Sequence, residues 1–596
     1  MRDILKKLNV LLDKKQKKTM ILMVFMMIFG AILEACSVSM VIPVVGVVID
    51  ESSVTKYEAV GDVYEALHMQ SITQFALLMM TALILIFVIK NIYLYWQMKF
   101  MYRFVYTNQF RTSERMMKNY LRKGYEFYLN ADTAIIQRNI TSDVNNMYAL
   151  ILSLLQLVSE AIVFVVLVGV MLASDWKMTL IIAVPLLVTL VVIKKVVKPI
   201  MNRAGKENQD FYSGLFKWIS QTVQGIKEVK IAGKEQYFTE EYIKCGKGYV
   251  NAVQKYTLYN SIPRLLIETV CIASLVGYMM ILVSEGQSVK EVTAILSAFV
   301  VAAVRIMPCA NRINNQLTSI AFYQPFFMGV SDNLQDEISG ENTDMSFAAV
   351  AKEKLPVKKN IVLKDITYHY PGADPLIFDH ADMEIPVGAA VGIVGTSGAG
   401  KTTVVDILLG LLEIKTGGVY ADGVSIQENY RSWLKNVGYI PQMIFMLDDT
   451  IRKNVAFGIA EEEIDEGRLW EVLKEAQLDE FVRGLPEGVN TSIGERGIRI
   501  SGGQRQRIGI ARALYYDPEV LILDEATSAL DNDTEAAIMD SINNLHGRKT
   551  LIIIAHRLQT IEKCDMIYRI ENGKAVLEKD TGQKQHRMQN ESRRTE

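Results

Sequence analysis

Residues 395–402 read Gly-Thr-Ser-Gly-Ala-Gly-Lys-Thr, the spacing G-x-x-x-x-G-K-[ST] of a loop that cradles phosphates. The apolar run Ala390–Val394 precedes it and the helix-like Thr403–Leu412 follows, so strand, loop and helix are expected in that order. Gly395, Gly398 and Gly400 let the backbone curl, with Thr396, Ser397 and Ala399 between them, until its N–H groups face a chain of phosphates. The helix N-terminus adds partial positive charge. Lys401 is expected to reach the β and γ phosphates. Thr402 offers a hydroxyl to Mg2+, and Thr403 is counted with the loop. A second apolar strand, Val520–Leu523, ends in Asp524, whose carboxylate can complete the octahedral oxygen shell that magnesium prefers. Glu525 follows, placed to polarise a water attacking the γ-phosphate. A glycine turn in a dehydrogenase is the bland reading of the loop alone, and the Asp524–Glu525 pair weighs against it.

Two further stretches bear on the same chemistry. Tyr370, on the expected strand Val362–Tyr370, could stack on a purine ring or pack at a sheet edge. Ile500-Ser501-Gly502-Gly503-Gln504 opens a basic helix (Arg505, Arg507, Arg512), a second backbone-rich anion site at a helix N-terminus. A head-to-tail homodimer that sandwiches each nucleotide between one loop and the partner's Ser501 helix accounts for both, with closed two-fold symmetry.

The rest of the chain must position these groups. With 596 residues it exceeds one domain. Its composition, 50% hydrophobic yet 22% charged, suits a membrane half joined to a soluble half. A net charge of −2 gives no global basic field, so no nucleic-acid partner is expected. The five cysteines lack metal-ligand or disulfide spacing. Six stretches near 20–49, 71–100, 145–173, 177–199, 258–283 and 291–318 are apolar over the ~20 residues a bilayer requires. The first lacks a cleavage pattern and is expected to stay as a span. Lysines and arginines gather before the first span and after the second and fourth, which places both termini in the cytoplasm. Segments 100–145 and 200–257 are helix-patterned, so the helices are expected to continue beyond the bilayer, with docking turns at Asn130–Gln137 and Thr222–Ala232. A short interfacial helix is expected within 54–68. The divisions are 1–330 for the membrane domain, 331–359 for a linker, 360–575 for an α/β domain with a mixed sheet and 576–596 for a polar tail.

Gly395–Thr402, Gln442, Ile500–Gln504, Val520–Glu525, Ser528–Asp531 and His556 together resemble the Walker A, Q-loop, signature, Walker B, D-loop and H-loop of an ABC transporter ATPase. Six spans fused ahead of it resemble the half-transporters of the ABC exporter family. Thr491–Gly497 is similar to the exporters' T-x-V-G-E-R-G loop. The resemblance implies an α-helical transmembrane domain of the exporter type followed by an α/β P-loop ATPase that hydrolyses ATP with Mg2+. It also implies Glu525 as general base, His556 on the γ-phosphate, Gln442 linking Mg2+ to the membrane domain, Ser501 and Gly503 acting across the dimer, and Asp531 of the D-loop among the nucleotide-binding residues. Ile500 stands where the family usually has Leu, an apolar exchange that leaves the phosphate-facing residues intact.

Basic residues inside the spans bear on the substrate. At 1.5 Å per residue, Lys90 and Arg264 lie roughly 28–30 Å from the outer ends of their helices, at the cytoplasmic headgroup level, with Arg312 at similar depth and Arg305 about 10 Å deeper. Asn315 extends that polar stripe. Snorkelling, or an Arg264–Glu268 pair, are the bland alternatives. A basic ring of this kind suits a pyrophosphate entering from the inner leaflet. The pattern resembles the bacterial lipid-linked oligosaccharide flippases of the ABC exporter family, which implies the inner membrane as location. A drug, lipid or peptide exporter is the alternative within transport, and an ATP-gated regulator or channel the alternative outside it.

Overall fold

The computed structural model describes residues 2–41, 44, 62, 64–65, 71–174, 176–284, 289–335, 353–373, 375–494, 497–525, 535–536, 538–539, 542, 544–554 and 561–580. The chain divides into two compact units, one of Met1–Leu121 with Ala131–Asn342 and one of Arg122–Asn130 with Thr343–Glu596.

The helices run α1 (Arg2–Leu11), α2 (Lys14–Ser39), α3 (Ile72–Leu121), α4 (Tyr125–Leu129), α5 (Thr133–Arg138), α6 (Val144–Ser174), α7 (Trp176–Gln224), α8 (Ile226–Ala232), α9 (Glu235–Ser284) and α10 (Val289–Asn333). All but α4 belong to the first unit. Helices α3 and α9 are 50 residues each. At 1.5 Å per residue that is about 75 Å, more than twice the ~30 Å hydrocarbon core, so each must continue far into water. Among the described residues, Lys14–Ser37, Ile72–Leu121, Thr133–Gly169 and Glu235–Ile281 are long and apolar enough to cross a membrane. The stretches expected to span in α7 and α10 include side chains outside the described set. Of the expected interfacial helix, the description covers Asp62, Tyr64 and Glu65. The Tyr64 ring meets Phe75 edge-on at 5.0 Å.

The second unit holds two sheets. The smaller is antiparallel in the order β2–β1–β4–β5, with β1 Asn360–Tyr368, β2 Phe378–Pro386, β4 Thr416–Ala421 and β5 Val424–Ser425. The larger has the order β10–β9–β3–β8–β7–β6, with β3 Ala390–Val394, β6 Val437–Ile440, β7 Val520–Asp524, β8 Thr550–Ile554, β9 Met566–Glu571 and β10 Lys574–Asp580. Every residue of β3, β7 and β8 is buried, which is why these strands read as continuous apolar runs rather than alternating ones. Alternate residues serve opposite cores. Leu521, Leu523, Leu551 and Ile553 join one cluster, and Val520, Ile522, Ile552 and Ile554 the other. Strand β10 runs to Asp580 against β9, five residues past the expected domain end at 575.

Candidate nucleotide site

Strands β3, β8 and β7 are parallel neighbours with β8 in the middle. The loop after β3 and the end of β7 therefore emerge on one sheet edge about 10 Å apart, where open α/β sheets bind ligands. Helix α11 (Lys401–Leu408) starts directly from the loop. Gly398 and Gly400 take φ of +82° and +104°, and a Cβ on Gly400 would meet Ile377 at 2.8 Å. Side chains at these two positions would strain or block the curl. Lys401 lies buried across the loop, its Nζ donating to the carbonyls of Gly395 (3.0 Å) and Thr396 (3.1 Å), while Thr402 is exposed.

Asp524 closes β7 and is buried, with the Tyr439 hydroxyl donating to Oδ2 at 3.4 Å. Burial first and Glu525 second push its carboxyl above the ordinary range, while Lys401 pulls the other way. Asp406, buried on α11, is pushed up to about 6 by burial and by Asp524. A divalent cation fits this edge. Thr402, Asp524 and the Gln442 carboxamide are hard oxygen donors of the kind Mg2+ selects, and the crowded carboxylates are the charge it would neutralise. Glu525 sits at φ +51°, its N–H donating to Ile554 O at 3.0 Å. Gln442 donates from Nε2 to Glu525 Oε2 at 2.5 Å, so these two expected catalytic residues are in contact. A non-glycine residue in the left-handed region at the end of a strand marks strain of the kind held at functional sites.

Tyr370 lies two residues past the end of β1 rather than on the expected strand Val362–Tyr370. Its hydroxyl bonds that of the buried Thr403 at 3.0 Å, and its ring meets Tyr368 edge-on at 5.3 Å. The Tyr368 hydroxyl in turn donates to Glu126 Oε1 at 3.0 Å, and the same oxygen accepts from Glu413 N at 3.1 Å. Glu126 lies on α4, so the turn packed into this unit is Tyr125–Leu129, N-terminal to the expected Asn130–Gln137. The expected stretch instead forms α5, whose Asp132 cap accepts from Ala134 N within the first unit. The second expected turn, Thr222–Ala232, contains α8, which ends in Gly233 at φ +60°.

Ser501 caps helix α16, and before it come α12 (Tyr430–Leu434), α13 (Ile451–Val455), α14 (Glu466–Glu475) and α15 (Asp479–Arg483); α16 itself is Gly502–Tyr515. Gln504 is turned back on the cap. Its N–H donates to Ser501 Oγ at 3.2 Å and its Oε1 accepts from Ser501 N at 2.9 Å, so its carboxamide shapes the turn that presents Ser501, Gly502 and Gly503. Arg512, read from sequence as part of a basic anion site, is half-spent on structure. It donates to Asn454 O (2.7 Å) and Phe445 O (2.7 Å), and burial lowers its pKa to about 10. It thereby ties α16 to the segment after Gln442. Asp531 and His556 lie outside the described residues.

The four basic residues of the spans are treated differently from one another. Arg264 is exposed on α9 and makes no ion pair among the described residues, so the Arg264–Glu268 pair is not formed. Lys90 is buried with its Nζ 4.6 Å from the Phe87 ring centre rather than free at the headgroup level. Arg312 is not free, because its Nε lies 2.7 Å from Glu160 Oε1 on α6. Arg305 falls in α10, its side chain outside the described residues. Asn315, with its amide nitrogen turned to α9, reaches the carbonyls of Asn260 (3.1 Å) and Asn311 (3.3 Å). Asp406, Glu126 and Glu160 were not singled out from sequence. The signal for Asp406 and Glu160 is a lone carboxylate inside an apolar helix, Val404–Leu408 and residues 150–172 respectively.

A helical unit of this kind fused to a P-loop sheet defines an ATP-driven membrane transporter, and residues 20–304 match the ABC transporter transmembrane region while residues 378–528 match the ABC transporter domain. The chain belongs to the ABC transporter family and is an ATP hydrolase whose hydrolysis is coupled to transport. It is similar to an ATP-dependent lipid A-core flippase of Haemophilus influenzae (30% identical, 73% of this chain and 74% of that protein) and to another of Cupriavidus pinatubonensis (29%, 78% of each). It also resembles the heterocyst differentiation ATP-binding protein HepA of Nostoc (33%, 63% of this chain and 61% of that protein). Its fold matches the structure of a bacterial Atm1-family ABC exporter with ATP bound at a TM-score of 0.75, 20% identical over 96% of both chains.

Proposed function

We propose that the chain works as a homodimer in the bacterial cytoplasmic membrane and flips a polyprenyl-pyrophosphate-linked oligosaccharide from the inner to the outer leaflet. In this reading Lys401 and the loop N–H groups hold the phosphates, and Tyr370 stacks on the base. Glu525 orients the attacking water, with Gln442 and His556 beside it and Ser501, Gly503 and Asp531 closing the site from the partner. Mg2+, held by Thr402, Asp524 and Gln442, supplies charge neutralisation at the transferring phosphoryl group. The contact of Gln442 with Glu525 supports their pairing.

The observation that carries the substrate reading is Arg264, exposed and without an ion-pair partner among the described residues, on a helix apolar enough to cross a membrane. At the inner headgroup level an unpaired guanidinium is a ready partner for an anion, and a pyrophosphate supplies one. The relatives named lipid A-core flippases favour a lipid over a peptide or drug. ATPase stimulation by purified polyprenyl-pyrophosphate glycans, lipid A-core, peptides and drugs, each in liposomes, tests this. The glycan lipid is expected to stimulate wild type and to lose that effect in Arg264→Ala and Arg305→Ala. Stimulation by peptides or drugs alone would overturn the assignment.

A further inference from the structure

Arg312 on α10 and Glu160 on α6 meet at 2.7 Å, with the guanidinium side chain 49% exposed and the carboxylate 20%. The carboxylate is held from the other side as well. The Cys309 thiol lies 3.3 Å from Glu160 O and 3.5 Å from Oε2, so each carboxylate oxygen has its own partner. The ion pair is made through Nε, and Arg312 has no second ion pair among the described residues. That leaves the two terminal nitrogens, the fork that binds phosphate oxygens in pairs, for a ligand. Glu34 on α2 adds a second negative charge that acts on the same guanidinium.

We propose that Glu160 is a positioning and charge-setting residue for the substrate site: it aims Arg312 at the anionic headgroup and lowers the strength with which Arg312 holds it. The inference rests on the anionic-lipid reading of the substrate. An arginine whose charge is not offset would hold a pyrophosphate more tightly, and a transporter must also release it each cycle. With Glu160 at Nε the orientation is kept while part of the attraction is cancelled. A purely structural salt bridge would instead give a variant that binds more weakly or folds less well.

Glu160→Gln separates these roles, because a carboxamide oxygen can still accept from Nε while the charge is gone. The probe is a polyprenyl pyrophosphate carrying a disaccharide, in proteoliposomes. Half-saturation of ATPase stimulation and the maximum flipping rate are read together. Glu160→Gln is expected to lower the half-saturating concentration at least threefold and to lower the maximum rate. The double variant Glu160→Gln with Arg312→Gln is expected to show no gain over Arg312→Gln alone. Where Glu160→Gln does not yield monodisperse protein, Glu34→Gln carries the test, with a smaller shift in the same direction. An unchanged or raised half-saturating concentration overturns the role of Glu160, as does an equal gain in the double variant. Wild type that ignores the probe overturns the substrate reading and this inference with it.

Discussion

Glu525 and Asp406 differ in how they could be found. Glu525 follows Asp524 at the end of a four-residue apolar run, so its place at the sheet edge is legible from sequence; its φ of +51° and its bond to Gln442 are not, because both depend on the neighbouring strand and on a segment 83 residues away. Asp406 sits among Val404, Val405, Ile407 and Leu408, where the apolar helix pattern hides it. Its folded pKa of about 6 lies above the 3.8 of an ordinary aspartate, so the folded state binds its proton more readily than the unfolded state. The contribution therefore favours folding below about pH 4 and is lost as pH rises through about 6, leaving a cost at neutral pH. Without Mg2+, Asp406→Asn is expected to raise the melting temperature at pH 7.5 by about 2–4 °C, with the gap closing toward pH 4. Intrinsic fluorescence melts across that range check it. A gap independent of pH would mean that the charge of Asp406 is not the cause.

At the scale of elements, strands were the easiest to read and turns the hardest. Ala390–Val394 matches β3 residue for residue, and Val520–Asp524 extends the expected strand by one, because a fully buried parallel strand needs an unbroken apolar run. The docking turn lies N-terminal to the expected one, where Tyr-Glu-Phe-Tyr-Leu has the look of a helix end. The chain gives no sign that one carboxylate, Glu126, will accept from both Tyr368 and Glu413. From there contacts run through the Tyr368 and Tyr370 rings to Thr403, next to Thr402. Hydrogen bonds to a carboxylate are worth about 1.5–3 kcal/mol, enough to alter how firmly α4 is held. Glu126→Ala and Tyr368→Phe are each expected to cut lipid-stimulated ATP turnover several-fold while KM for ATP stays within about two-fold. Stimulation equal to wild type in both would show that α4 is anchored by other contacts.

For the whole molecule, the two motifs proposed to face phosphate start from different elements, the loop from β3 and Ser501 from the cap of α16. If they act in trans, as we propose, Lys401→Ala and Ser501→Arg each disable both sites of a homodimer, but a mixed dimer keeps one site free of both changes. Co-assembled subunits are expected to bind one nucleotide tightly per dimer, where either parent binds none. Tight binding no greater in the mixture than in the parents would remove the trans arrangement. The two-unit organisation was legible from composition alone, since apolar runs and the P-loop occupy different halves of the sequence. The pairing of Arg312 with Glu160 was not, because it joins helices 152 positions apart and hydropathy says nothing of which faces meet.

The most direct measurement is leaflet exchange. In proteoliposomes holding a polyprenyl-pyrophosphate glycan with a label readable only from outside, wild type with ATP and Mg2+ is expected to transfer the label across the bilayer. Glu525→Gln should bind ATP yet fall by orders of magnitude, since the phosphates remain clamped while the water loses its orientation. ATP-independent transfer at the same rate in both proteins, or no transfer by a wild type that hydrolyses ATP, would contradict the account.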